Sequence, residues 1–142
     1  MHKPVLLKEA IEYLDPKPGE NFIDCTIGEA GHSLVILEKI KPEGKILGID
    51  IDYDSLQKIK AKEGLILAHG SFKNLKTIAE ENNFKKINGI LFDLGLSSWQ
   101  IDESGKGFTF KKDEPLNMIL NGGQVVTAQE IINTWPEESL LE

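Results

Sequence analysis

Apolar residues at 5, 6, 7, 10, 11 and 14 recur at a helical interval from Val5 to Leu14, and Asp15-Pro16-Lys17-Pro18-Gly19 stops that run. The pattern then changes to short apolar stretches separated by helical ones. Phe22-Ile23-Asp24-Cys25-Thr26-Ile27 predicts a buried strand, and Gly28 to Gly31 turns it into a helix with apolar positions 34, 35, 37 and 40, ended by Pro42-Glu43-Gly44. Lys45 to Asp50 predicts a second strand, Tyr53 to Lys62 a helix, Leu65 to His69 a third strand, Phe72 to Asn82 a helix and Gly89 to Leu94 a fourth strand. Alternation of this kind, with short connections, predicts right-handed crossovers in an α/β, Rossmann-like fold: a parallel sheet of at least four strands with helices on both faces.

After Leu94 the periodicity is lost. Gly95-Leu96-Ser97-Ser98-Trp99 reads as a turn, and residues 101 to 124 are polar and Gly-rich with no clear period, which predicts a long loop. A last helix is expected near Thr127, whose hydroxyl and Glu130 have capping-box spacing, and Pro136 suits the start of another.

With 142 residues, 40% hydrophobic and 27% charged, the chain has the size and balance of one ordinary domain. No apolar run approaches the roughly 20 residues of a membrane helix, and the start has no signal-peptide core, so a cytoplasmic protein without a membrane partner is expected. The one cysteine, Cys25, forms no internal disulfide, and no Cys/His spacing predicts a metal site. Sixteen basic against twenty-three acidic residues leave a net charge of −7. Any RNA contact must therefore come from a local basic patch, because the chain as a whole repels phosphate.

Three acids change this picture. Asp24, Asp50 and Asp93 stand where strands one, two and four give out, and in a parallel sheet such ends share one edge, where ligands bind. The turn Gly28-Glu29-Ala30-Gly31-His32-Ser33 should turn backbone donors and a helix dipole toward that crevice, which suits an anionic group. Asp50 follows Gly28 by 22 residues, near the spacing at which a carboxylate takes ribose hydroxyls. A dinucleotide would want G-x-G-x-x-G, which this turn matches weakly. S-adenosylmethionine carries no pyrophosphate, and its ammonium, sulfonium and hydroxyls suit acidic strand ends. Two other readings remain: Asp24 and Asp50 as local caps of the turns that follow them, and nicotinamide-dinucleotide chemistry resting on the turn alone.

The words His2-x-Pro4-Val5-Leu6-Leu7, Asp24-x-Thr26-x-Gly28-x-Ala30-Gly31-His32-Ser33, Gly48-Ile49-Asp50-x-Asp52, Asp93-Leu94-Gly95-x-Ser97-Ser98-x-Gln100-x-Asp102, Gly107-Phe108-x-Phe110 and Pro115-Leu116-x-Met118 occur in order. From His2 to about Ala128 the chain resembles the 16S ribosomal RNA cytosine-N4 methyltransferases, the MraW family. The resemblance implies a class I methyltransferase fold, S-adenosylmethionine as cofactor, small-subunit ribosomal RNA as partner, and methyl transfer to a cytosine amine. It also implies a Rossmann-like domain over residues 1–126, the start of a helical insertion over 127–142, and a sheet cut short after strand four, whose open edge would let the chain self-associate as a homo-oligomer or be covered by another segment. It implies cofactor contacts at Ala30, Gly31, His32, Asp50 on the ribose, Phe72 near the adenine, Asp93 and Gln100, with Asp93 also the candidate acceptor of an amine hydrogen. The plain alternatives are a core-facing helix entry for Phe72, local turn bonding for His32 and a solvated loop side chain for Gln100. Trp99 and Phe108 are candidates to stack on a base or to be buried. The sequence departs from the family pattern at Ala30 for Gly, Lys106 for Arg, and Asn117 and Ile119 for an acid and an arginine. A second reading follows from those departures: a non-catalytic, cofactor-binding or interaction module.

Overall fold

The computed structural model describes residues 4–120 and 125–141. His2, part of the first family word, lies outside them, as does the Gly-rich end of the 101–124 segment. Helix α1 (Leu7–Leu14), strand β1 (Asn21–Asp24), α2 (Gly31–Ile40), β2 (Ile46–Asp50), α3 (Tyr53–Leu56), β3 (Leu65–His69), a 3-10 turn (Phe72–Asn74), α4 (Leu75–Glu81) and β4 (Ile87–Leu91) follow in order. All strand pairs are parallel, in the order β3-β2-β1-β4. Phe22 stands in register with Ile46 and Gly89, and Ile46 with Leu65, so residues of one parity share a face across the sheet.

That parity sorts the core. Phe22, Ile46 and Leu65 meet Ile11, Leu14, Ile36, Leu37 and Ile40 of α1 and α2 on one face, where Ile27, Leu34 and Leu56 continue the layer. On the other face Ile23, Cys25, Leu47, Ile49 and Ile66 meet Ile78 and Ala79 of α4, with Phe84 closing the edge. Helices thus cover both faces, and β1 and β2, buried on both sides, read as continuous apolar runs for that reason.

Several elements differ from the expectation, β1 among them, since it ends at Asp24 and not at Ile27. The helix from Tyr53 ends as a single turn at Leu56, followed by tight i to i+3 bonds from Lys58 and Ile59. After Ile59 no buried apolar residue anchors another turn, and Lys62 instead reaches Glu38 at 2.8 Å. Strand β4 begins at Ile87 and ends at Leu91, and residues 92 to 94 leave the ladder.

By compactness the chain divides into Met1–Leu94 and Gly95–Glu142, ahead of the division at 126/127 expected from family organisation. The second unit holds α5 (Ser98–Asp102), α6 (Ala128–Thr134) and α7 (Glu137–Leu140). Ser97 and Gln100 form a complete capping box at the start of α5, in a stretch read only as a turn. Thr127 caps α6 by accepting from the Glu130 N–H at 3.0 Å. The carbonyls of Leu116 and Asn117 take the N–H groups of Gln129 and Ala128, so the Pro115-to-Met118 word is bound to the start of α6. Gly107, at φ +81°, packs against the Pro115 backbone with no room for a Cβ.

Candidate functional site

The parallel strands bring Asp24, Asp50, His69 and Leu91 to one edge of the first unit, and the turns beyond them build the candidate site. Each acid there has its own surroundings. Asp24 is buried; its Oδ2 accepts from the Ser33 hydroxyl at 2.6 Å and its Oδ1 from the Thr26 N–H at 3.2 Å. Burial pushes its carboxyl up from the ordinary value of 3.8, against those two bonds and the nearby His32 ring, which lower it. Asp50 is also buried, and both its oxygens accept from backbone amides: Oδ2 from Gly28 and Oδ1 from Asp52, each at 2.9 Å. Burial raises its pKa too, and these amides oppose the rise. Asp52 in turn caps α3, accepting from the Asp54 N–H and the Ser55 hydroxyl.

The turn after β1 is shaped by what lies beneath and above it. Gly48 of β2 has no side chain, and Ile27 Cδ1 occupies the space a Cβ would fill, so the turn folds back over β2 and carries Gly28 to Asp50. Ala30 is fully buried in the left-handed conformation at φ 63°; its N–H bonds the Ile27 carbonyl at 2.7 Å and its own carbonyl starts α2. Two of the amides expected to hold an anion, those of Gly28 and Ala30, are therefore engaged within the protein. Gly31 lies under Pro4, whose ring would overlap a Cβ there. His32 is buried, its Nε2–H donating to the Val5 carbonyl at 2.8 Å, a partner 27 residues distant and not the local turn bond weighed for it.

Phe72 and Asp93 stand apart from this buried set. Phe72 is 40% exposed, not a core residue, and meets Phe92 edge to face with centroids 5.6 Å apart. Asp93 is exposed, its carboxylate makes no hydrogen bond or ion pair among the described residues, and its N–H donates to Thr26 Oγ1 at 2.7 Å. Gln100 belongs to the second unit, where it is buried and its Oε1 accepts from the Ser97 N–H at 2.8 Å, so it is not a solvated side chain. Trp99 and Phe108, in that unit, are both half-buried.

Sequence reasoning passed over Thr26, Ser33, Phe92, Tyr53 and His69. The His69 Nε2–H donates to the Ile51 carbonyl at 3.1 Å and its ring meets Tyr53 edge to face at 5.5 Å. Only the position of His69 at a strand end could have pointed to it; Thr26 and Ser33 stand in the family word that begins at Asp24, which gave neither of them a role. Cys25 is buried, and that burial, with Asp24 next to it, pushes its thiol up to about 11, so it is an inert core residue. Among the described residues no group of three or more His, Cys, Asp or Glu could hold a metal ion, and no helix is long and apolar enough to cross a membrane.

The profile of the MraW methylase family matches residues 1–142. The ribosomal RNA small subunit methyltransferase H of Clostridium botulinum strain Okra is 41% identical over 99% of this chain and 47% of its own length. That of Mycoplasma mycoides subsp. mycoides SC is 42% identical over the same shares. The chain thus spans about half the length of these relatives. A solved structure described as a putative methyltransferase of antibiotic biosynthesis from Anabaena variabilis overlaps 49% of this chain and 27% of its own, with 14% identity and a TM-score of 0.42.

Proposed function

Because the chain belongs to the MraW methylase family, we propose that its crevice binds S-adenosylmethionine for methyl transfer to the N4 amine of a cytosine in small-subunit ribosomal RNA. The observation that carries this reading is a strand edge rich in acceptors and poor in available donors. A pyrophosphate would need the Gly28 and Ala30 amides, which Asp50 and the Ile27 carbonyl already occupy, and would face the carboxylates as well. A sulfonium, an ammonium and ribose hydroxyls suit the same acceptors. In front of Gly28, at φ +49°, the nearest atom to a would-be Cβ is the Thr26 carbonyl oxygen at 3.9 Å, so a ligand can approach the backbone there.

S-adenosylmethionine, when bound, supplies an electrophilic methyl group on a sulfonium. Asp50 would take ribose hydroxyls on the lone pairs beyond its two amide bonds, and Phe72 would offer its ring to the adenine. Ala30, Gly31 and His32 would act by holding the bend and the segment above it, and Asp93 and Gln100 enter as the cofactor contacts the family implies. The cytosine amine is a weak nucleophile because its lone pair is delocalised into the ring. An acceptor on its N–H favours the attacking form, and the exposed Asp93 carboxylate, unpaired among the described residues, fits that task. A cytoplasmic location belongs to this reading, since its RNA substrate is there. Self-association through the β4 edge is proposed alongside it.

The departures at Asn117 and Ile119 favour a second reading, a module that binds the cofactor without transferring its methyl. Calorimetry with S-adenosylmethionine, S-adenosylhomocysteine and NAD, followed by transfer of labelled methyl to small-subunit RNA, separates the two. Saturable binding of the first two ligands alone, with transfer that falls about 100-fold in Asp93→Asn, supports the enzyme. Binding without transfer selects the module. Preference for NAD, or no binding, sinks both.

A further inference from the structure

The chain after β1 and the chain after β4 are joined by the Thr26 side chain. The last ladder bond between these strands runs from the Cys25 N–H to the Leu91 carbonyl at 2.9 Å. Beyond it β4 has left the sheet, and the Asp93 N–H, which has no main-chain partner in the ladder, donates to Thr26 Oγ1 at 2.7 Å. The Thr26 N–H donates in turn to Asp24 Oδ1, and Asp24 Oδ2 takes the Ser33 hydroxyl at 2.6 Å. A connected path therefore runs from the first turn of α2, through a buried carboxylate and Thr26, to the backbone of Asp93, whose carboxylate makes no hydrogen bond or ion pair among the described residues. Of the ordinary apolar residues of similar size, none can substitute for the acceptor on which that path depends.

We propose that Thr26 is a positioning residue: its hydroxyl oxygen sets where the Asp93 carboxylate stands and thereby how tightly the methyl donor is held, an inference that rests on the reading of this crevice as an S-adenosylmethionine site. Thr26→Val removes the acceptor at nearly constant size. Because Asp93 is exposed, water can satisfy its N–H in the variant, so the fold survives while the carboxylate loses its tether.

The test measures S-adenosylmethionine binding to the 142-residue chain by calorimetry and Asp93 amide exchange by NMR. Thr26→Val is expected to bind about tenfold more weakly and to lose Asp93 protection, while Thr26→Ser stays within about threefold. Asp93→Asn should weaken binding in the native background and add little in the Thr26→Val background, because the tether and the carboxylate act as one unit. Unchanged affinity in a folded Thr26→Val chain, or full additivity of the two substitutions, overturns the inference and leaves the cofactor reading intact. No binding by the unsubstituted chain overturns the cofactor reading, and this inference with it. If Thr26→Val does not fold, Thr26→Ala carries the same two comparisons.

Discussion

Asp24 and Asp50 are alike in sequence and burial yet should respond oppositely to the same change, because their partners differ. One partner of Asp24 is the Ser33 hydroxyl, which can rotate and accept from an amide; both partners of Asp50 are backbone N–H groups, which cannot. Asp24→Asn should therefore keep or raise stability at neutral pH. Asp50→Asn, which turns an amide donor toward a donor, should cost about 1–3 kcal/mol in urea denaturation. The pH dependence has a definite sign. Both carboxyls have folded pKa values above 3.8, so over the window from there upward these two groups hold more protons in the native state than in the unfolded chain, and their contribution to stability falls as pH rises. Asp24→Asn should flatten that fall, and a urea series from about pH 4 upward reads it. Ala30 sits where the family has Gly. The left-handed backbone costs a non-glycine about 1–2 kcal/mol, but its buried methyl contributes about 0.8 and glycine adds about 0.4–1 of unfolded-state entropy. Ala30→Gly should then change stability by less than about 1 kcal/mol, and a larger gain in urea would show that the bend is more strained than this balance allows.

At the scale of elements, the site depends on β2 being thin where the first turn crosses it. Gly48→Ala would drive a methyl into Ile27 Cδ1 and should cost about 1–3 kcal/mol. Ile27→Val removes that Cδ1 and alone should cost about 0.5–1.5 kcal/mol. If the clash is the cause, the double variant is more stable than the sum of the two losses predicts; strict additivity in urea denaturation would locate the damage elsewhere. Most of the elements were readable because the periodicity of buried positions is local: β3 matches its expected span at both ends, and the Thr127 cap was visible in the spacing to Glu130. Helix α3 was overread because Lys58, Ala61 and Lys62 are good helix formers, whereas the chain had only Leu56 and Ile59 to bury against the sheet. Helix α5 was missed because its cap lies inside a word that reads as a turn.

For the first unit as a whole, the asymmetry of the sheet is the main consequence. β1 and β2 are interior, but β4 is an edge strand whose Ile87 and Ile90 are 42% and 41% exposed, with Phe92 and Leu94 exposed beyond it. An apolar, unpaired edge favours pairing with another strand. The 142-residue chain should accordingly associate with rising concentration in sedimentation velocity, and Ile90→Lys, a charge on that edge, should return it to monomer; a sharp native monomer at micromolar concentration would remove the edge from consideration. The sequence by itself determined the alternating α/β architecture, the placement of acids at strand ends and the family, because period, propensity and short motifs are properties of neighbouring residues. Only the tertiary structure decided what those acids do. The Gly28 amide reaches Asp50 across 22 residues and the Asp93 amide reaches Thr26 across 67, so whether a carboxylate is consumed as a staple or left for a ligand depends on which turns the packed sheet brings together.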